Sequence, residues 1–159
     1  GLLSGAWNPF GLFACVYQAL HSTRSEKGYL FWGSDIRTYE TPYEAGLHFA
    51  VSKHKAFLGR KALTEHTPLK KLVTIILADP KAVVLGNEPV RVDGRVLGRV
   101  TSGSYGAHIQ SSIAFAYLPV DQAAVGTQTE ILVFGNWLAA KVIQGPLYDP
   151  NGIKVKTWL

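Results

Sequence analysis

From residue 69 to residue 143 the chain is a succession of short β-branched and aliphatic runs separated by turn residues, and that rhythm leaves few folds open. Residues 69–78 read as one strand, closed by Asp79-Pro80. Residues 83–85 and 89–92 read as short strands. Asp93-Gly94 joins Val90-Arg91-Val92 to Arg95-Val96-Leu97, and a two-residue loop of this type favours a hairpin because both positions tolerate positive φ. The strand is expected to continue through Arg99-Val100-Thr101 and to turn at Ser102-Gly103-Ser104. Residues 112–118 give a further strand, residues 127–134 and 138–143 pair across Gly135-Asn136, and residues 154–159 are expected to add a last edge. About six short strands with turns every ~8–12 residues imply a small all-β barrel or sandwich.

The first 66 residues have a different character. Phe10, Phe13, Ala14, Tyr17 and Leu20 recur at helical spacing, which predicts a helix from residue 10 to about residue 24 with one apolar face inward. Asn8-Pro9 supplies a start signal and Gly28 a stop. Residues 29–36 read as a short extended segment, and Thr41-Pro42-Tyr43-Glu44-Ala45 as a short helix or turn. Leu47, Phe49 and Val51 alternate with His48, Ala50 and Ser52, the pattern of a half-buried strand. Residues 57–66 predict a second helix with Phe57, Leu58, Ala62 and Leu63 facing in, stopped before Pro68. The fold class is therefore an α+β N-terminal segment followed by an all-β small barrel or sandwich, with domains at 1–66 and 67–159.

The totals bound the chemistry. At 159 residues, 47% apolar and 17% charged, the composition is globular. The net charge of +5 suits an anionic partner, but the basic residues are scattered, and Lys53, Lys55, Arg60 and Lys61 form the nearest thing to a run. Cys15 is the sole cysteine, which excludes an internal disulfide and reads as a buried thiol in a reducing compartment. No apolar stretch reaches the length of a membrane span. The chain has no methionine and begins with Gly1, so it is expected to be a processed product or a piece of a longer chain.

His21, His48, His54, His66 and His108 show no metal-ligand spacing, and no cysteine pair exists; no metal site is expected. Ser102-Gly103-Ser104 lacks the strand-to-helix context of a nucleophile elbow. A basic barrel suggests nucleic acid, yet Phe115 and Tyr117 alternate with Ala114 and Ala116 as core residues do, which makes that reading the weaker one. The informative cluster is Arg24-Ser25-Glu26-Lys27-Gly28-Tyr29 with Phe31-Trp32-Gly33-Ser34-Asp35. Aromatics, an arginine and two acids beside glycines can hold a flat heteroaromatic acid: aromatics stack, a carboxylate accepts N–H groups, and a guanidinium pairs with a carboxylate. The same inventory also serves plain packing.

Arg24-x-Glu26-Lys27-Gly28-Tyr29, Trp32-Gly33-x-Asp35-Ile36, Thr41-Pro42-x-Glu44-Ala45-Gly46-Leu47 and Phe57-Leu58-Gly59-Arg60-x-Ala62-Leu63 resemble, in order, the C-terminal part of the folate-dependent aminomethyltransferases, the T-protein of glycine cleavage. Gly86-Asn87-Glu88-Pro89-Val90, Gly98-Arg99-Val100-Thr101-Ser102-Gly103 and Pro146-Leu147-Tyr148-Asp149-Pro150 continue the likeness. The Trp32-Gly33 and Gly86-Asn87-Glu88-Pro89 blocks look closer to the folate-binding halves of dimethylglycine and sarcosine dehydrogenases. The resemblance implies an aminomethyltransferase-type barrel, a tetrahydrofolate cofactor, a small amine donor of the N-methylglycine type, and an upstream N-terminal or flavin domain. It implies bacterial cytoplasm or mitochondrial matrix. Carried over by motif, the cofactor-binding residues would be Arg24, Glu26, Tyr29 and Trp32. The family's catalytic acid precedes the matching region, so no catalytic residue is expected here. A non-catalytic structural or regulatory module of the same fold is the alternative implied by that absence.

Overall fold

The structure is a computed structural model that describes residues 16–157. Six antiparallel strands close into a barrel: β1 (Lys70–Leu77), β2 (Pro89–Val92), β3 (Arg95–Gly106), β4 (Ser111–Pro119), β5 (Gln128–Val133) and β6 (Asn136–Ile143), in the order β1-β4-β3-β2-β5-β6. Pairing of β6 with β1 completes the circle, Ile75 opposite Val142, so no strand edge is left to template association. The Asp93-Gly94 hairpin forms as expected, with Val92 opposite Arg95.

Alternation explains what fills the barrel. Val73, Ile75 and Leu77 of β1, Ala114, Ala116 and Leu118 of β4, and Val90, Val100, Ile131 and Val142 all point inward into one cluster. Ala82 and Val84 of the β1–β2 connection join the same cluster. Residues 83–85, expected as a strand, are therefore a loop whose buried Val84 works as a plug. Strand β4 is buried on both faces: Ile113 and Phe115, directed away from the cluster, are 0% and 2% exposed. The N-terminal segment straps across β3 and β4.

Strand β3 does not turn at Ser102-Gly103-Ser104 but runs through it to Gly106. Gly103 is required there because a Cβ would collide with the backbone of Val84. The register between β3 and β4 slips between Val100 and Ser102, a bulge.

The strap departs from expectation in several places. Helix α1 is Tyr17–Glu26; the expected residues 10–15, the Asn8-Pro9 start and Cys15 lie outside the described residues. Its apolar residues do not face in: Tyr17 and Leu20 are 61% and 55% exposed, while Arg24, Ser25 and Glu26 are buried. Residues 47–51 are not a strand; His48–Ala50 is a 3₁₀ turn and Phe49 is exposed, since alternation without a neighbouring strand satisfies no backbone groups. Helix α2 spans only Arg60–Glu65, entered through Gly59 at φ 83°, and the expected inward residues Phe57 and Leu58 are exposed. Over its described part the expected final edge strand is instead the one-turn helix α3, Ile153–Lys156; residues 158 and 159 lie outside the described residues.

Candidate functional site

The C-terminal turn of α1 carries charged side chains into the wall between strap and barrel. Asp35 is 0% exposed and its carboxylate is filled to capacity. Oδ2 accepts from Arg24 Nη1 at 2.8 Å and from the Phe31 amide at 2.9 Å. Oδ1 accepts from the hydroxyls of Thr101 and Ser102, each at 2.6 Å. Consecutive residues of a regular strand point to opposite faces; the β3 bulge is what lets both hydroxyls reach one oxygen. Tyr117 closes the unit by donating its hydroxyl to the Asp35 carbonyl at 2.9 Å. Burial first, then the negative charges of Glu40, Asp35 and Glu44, push the Tyr117 phenol far above its ordinary range, so it serves as a donor.

Arg24 is held from three further sides. Its Nε donates to His21 Nδ1, its Nη1 reaches the Tyr29 carbonyl, and its guanidinium lies 5.3 Å from the centre of the Phe31 ring. Its orientation is thus fixed before any ligand arrives.

Glu26, 5% exposed, is placed by the turn between β3 and β4. Two successive amides, His108 and Ile109, donate to its Oε1 at 2.7 and 3.1 Å. Gly106 makes room for it, since a Cβ there would sit 2.9 Å from Oε1 and 3.0 Å from Cγ. Among the described residues nothing donates to Oε2. The Glu26 carbonyl accepts the amides of Leu147 and Tyr148, which folds the Pro146–Pro150 block back over the end of α1. Lys27 ties it down, donating to the Asp149 carboxylate at 2.7 Å and to its carbonyl at 2.6 Å. The Lys27 hydrogen bond holds the Asp149 carboxyl below its ordinary range.

These groups surround a hollow of about 770 Å³, lined by Arg24, Glu26, Tyr29, His108, Tyr148 and Lys154 among others. The volume suits a drug-sized organic ligand. Tyr148 meets the His108 ring edge-on at 4.6 Å between centres and accepts Lys154 on its hydroxyl. The arrangement offers one unspent carboxylate oxygen, aromatic walls and a cationic rim. Of the four residues expected at a site, Arg24, Glu26 and Tyr29 line this one hollow; Trp32 does not, and is 67% exposed on the turn that carries Asp35. Sequence reasoning missed Lys27, His108, Tyr148, Asp149 and Lys154. The signal for Tyr148 and Asp149 was present in the Pro146–Pro150 block, but Lys27 and Asp149 are 122 residues apart in sequence, beyond any local pattern. Phe115 is buried, so β4 offers no exposed aromatic row for bases. Among the described residues, no group of three or more His, Cys, Asp or Glu side chains is placed to hold a metal, and no helix is long and apolar enough to cross a membrane.

A closed six-stranded barrel, strapped by a preceding segment that folds a polar hollow against its β3–β4 turn, defines a barrel module of the aminomethyltransferase type. Residues 70–149 match the glycine cleavage T-protein C-terminal barrel domain and residues 2–55 match the GCVT N-terminal domain. The chain belongs to the glycine cleavage T-protein family. It is 40% identical to the aminomethyltransferase of Symbiobacterium thermophilum over 143 residues, covering 87% of this chain and 38% of that protein. It is 40% identical over 134 residues to the mitochondrial dimethylglycine dehydrogenase of Rattus norvegicus, covering 81% of this chain and 16% of that one. It is 38% identical to the 4-methylaminobutanoate oxidase (formaldehyde-forming) of Paenarthrobacter nicotinovorans, covering 95% of this chain and 19% of that enzyme. The crystal structure of the glycine cleavage system aminomethyltransferase T from Bartonella henselae superposes with a TM-score of 0.75 at 28% identity, over 81% of this chain and 38% of that one. The chain thus spans well under half the length of these relatives.

Proposed function

We propose that this chain is part of a tetrahydrofolate-dependent aminomethyltransferase, with residues 1–66 completing a folate-binding unit and residues 67–159 forming the barrel that braces it. The supporting observation is Glu26: a buried carboxylate with one oxygen cradled by two backbone amides, in the lining of a ligand-sized hollow beside Tyr29. Tetrahydrofolate, when bound, would supply the amine that takes up a one-carbon unit from a small amine donor. The chain's own residues bind and orient. Glu26 Oε2 would accept N–H groups from an aminopyrimidine edge. Tyr29 would stack on a flat ring, and the Lys154 ammonium at the rim would face an acidic tail. Arg24, its charge answered by Asp35, holds the shape of the hollow's wall. The work proposed for these residues is positioning and charge stabilisation. On this reading the protein works in bacterial cytoplasm or mitochondrial matrix.

Calorimetric titration of tetrahydrofolate into the chain and into a full-length counterpart tests this. Glu26→Gln and Tyr29→Ala are each expected to weaken binding by about tenfold, near 1.4 kcal/mol. Unchanged affinity in both variants removes the site assignment. A second reading, a brace with no ligand of its own, draws on the internal bonds that occupy Arg24 and Lys27; absence of binding to either form favours it.

A further inference from the structure

On the other side of the Asp35 unit lies a separate hollow of about 430 Å³ on the outer barrel wall. Its polar lining comes from two segments distant in sequence: Arg37, Tyr39 and Glu40 of the strap, and Lys70, Arg99 and Tyr117 of the barrel. Glu40 is the sole carboxylate in the lining and is already spent. Its Oε2 accepts the Arg37 amide at 2.9 Å and its Oε1 accepts Lys70 Nζ at 3.1 Å. Lys70 in turn sits 4.7 Å from the centre of the Tyr117 ring. The charge that remains to be answered is that of two guanidinium groups.

Both are anchored so as to leave donors over. Arg37 donates Nε to the Gly33 carbonyl at 3.0 Å and Nη1 to the Tyr39 hydroxyl at 3.0 Å. Arg99 donates Nη1 to Asn87 Oδ1. Among the described residues, Arg37 Nη2 and Arg99 Nε and Nη2 have no acceptor. Because Tyr39 Oη accepts from Arg37, its own proton is available to donate. Leu97 and Pro119 give the hollow an apolar floor.

We propose that this hollow is an anion site, taking the phosphate or carboxylate group of a small organic acid between Arg37 and Arg99. Planar guanidinium groups with unused N–H pairs are the preferred partners of such oxyanions. The bonds of Arg37 to Gly33 and Tyr39 reduce the ordering that remains on binding. The site is separate from the hollow beside Glu26 and does not depend on what that hollow binds.

The test uses the 159-residue chain with inorganic phosphate and citrate as separate probes, read by ¹H–¹⁵N chemical-shift changes at Ser34, Leu97 and Gly98 and by calorimetry. Millimolar binding of either probe is expected, and which of them binds tells phosphate from carboxylate as the natural group. The double variant Arg37→Gln/Arg99→Gln should weaken it by about tenfold or more. Arg91→Gln removes a positive charge from another part of the wall and should leave binding unchanged. All three proteins should show closely similar thermal unfolding, since these arginines are not in the core. No binding of either probe overturns the proposal. So does binding that survives in the double variant, or that falls equally in Arg91→Gln.

Discussion

Replacing Asp35 by Asn is the most direct challenge to the description of how strap and barrel are joined. The side chain keeps its size and loses its charge. In the native protein its four acceptor positions answer Arg24, the Phe31 amide, Thr101 and Ser102. The substituted amide can accept on one oxygen only, so its NH₂ would either confront the donors of Arg24 and Phe31 or force the Thr101 and Ser102 hydroxyls to turn from donating to accepting. Arg24 is 8% exposed and would be left as a buried, uncompensated cation. Removing one partner of a buried pair costs about 3–5 kcal/mol. At roughly 2–4 °C per kcal/mol for a chain of this size, the melting temperature should fall by about 6–20 °C. Thermal and urea unfolding measure this. The control is Arg91→Gln, which breaks an exposed pair with Glu130 and should shift the midpoint far less. Because Arg24 and Asp35 share one interaction, adding Arg24→Met to Asp35→Asn should cost less than the sum of the two changes. A loss below about 1 kcal/mol, no larger than a surface pair contributes, would show that the strap is not held through Asp35.

Gly106→Ala tests the room made for Glu26: the new methyl would sit 2.7 Å from Ile109 Cγ1 and 2.9 Å from Glu26 Oε1, so a destabilisation of about 1–3 kcal/mol is expected, together with weaker ligand binding at the Glu26 hollow, and native-like values for both would refute the crowding argument. The pH dependence follows from Glu44. Burial on its own raises its carboxyl, but hydrogen bonds from the Thr41 amide and hydroxyl, with the charges of Lys70 and His66, outweigh that and hold it below the ordinary range. A depressed carboxyl stabilises the fold above its unfolded-state value, about 4.3 for Glu, and that contribution disappears as pH falls through the lower folded value. The urea midpoint should therefore drop on acidification below about pH 4.3, less steeply in Glu44→Gln; identical profiles for the two proteins would contradict the assignment.

The barrel half was legible because its information is local. The β-branched run of residues 69–78, the Asp93-Gly94 turn and the glycine at Gly135 each specify their element within a few residues, although the second hairpin turns at Phe134-Gly135 and not at the expected Gly135-Asn136, and the closed sheet follows from burying every inward side chain. The blocks around Arg24-x-Glu26 and Asp35 carried the family, and three of the four expected site residues do meet at one hollow. The strap was read poorly for a matching reason. The residues at Tyr17, Leu20, Phe49, Phe57 and Leu58 are apolar at regular spacing, and spacing reports a face without saying whether anything lies against it. Only the tertiary structure decided which residues that segment buries, and it buries charged ones. A buried Asp35 is tolerable because a bulge in β3 brings Thr101 and Ser102 to one oxygen while α1 brings Arg24 to the other. That coincidence depends on a register slip between two strands 14 residues apart in chain order at Thr101 and Phe115, and no periodicity in the sequence records it. Local pattern thus determined the elements and the wall they form; long-range geometry determined where charge could be sheltered, because the free energy of a buried carboxylate is set by donors that arrive from elsewhere in the chain.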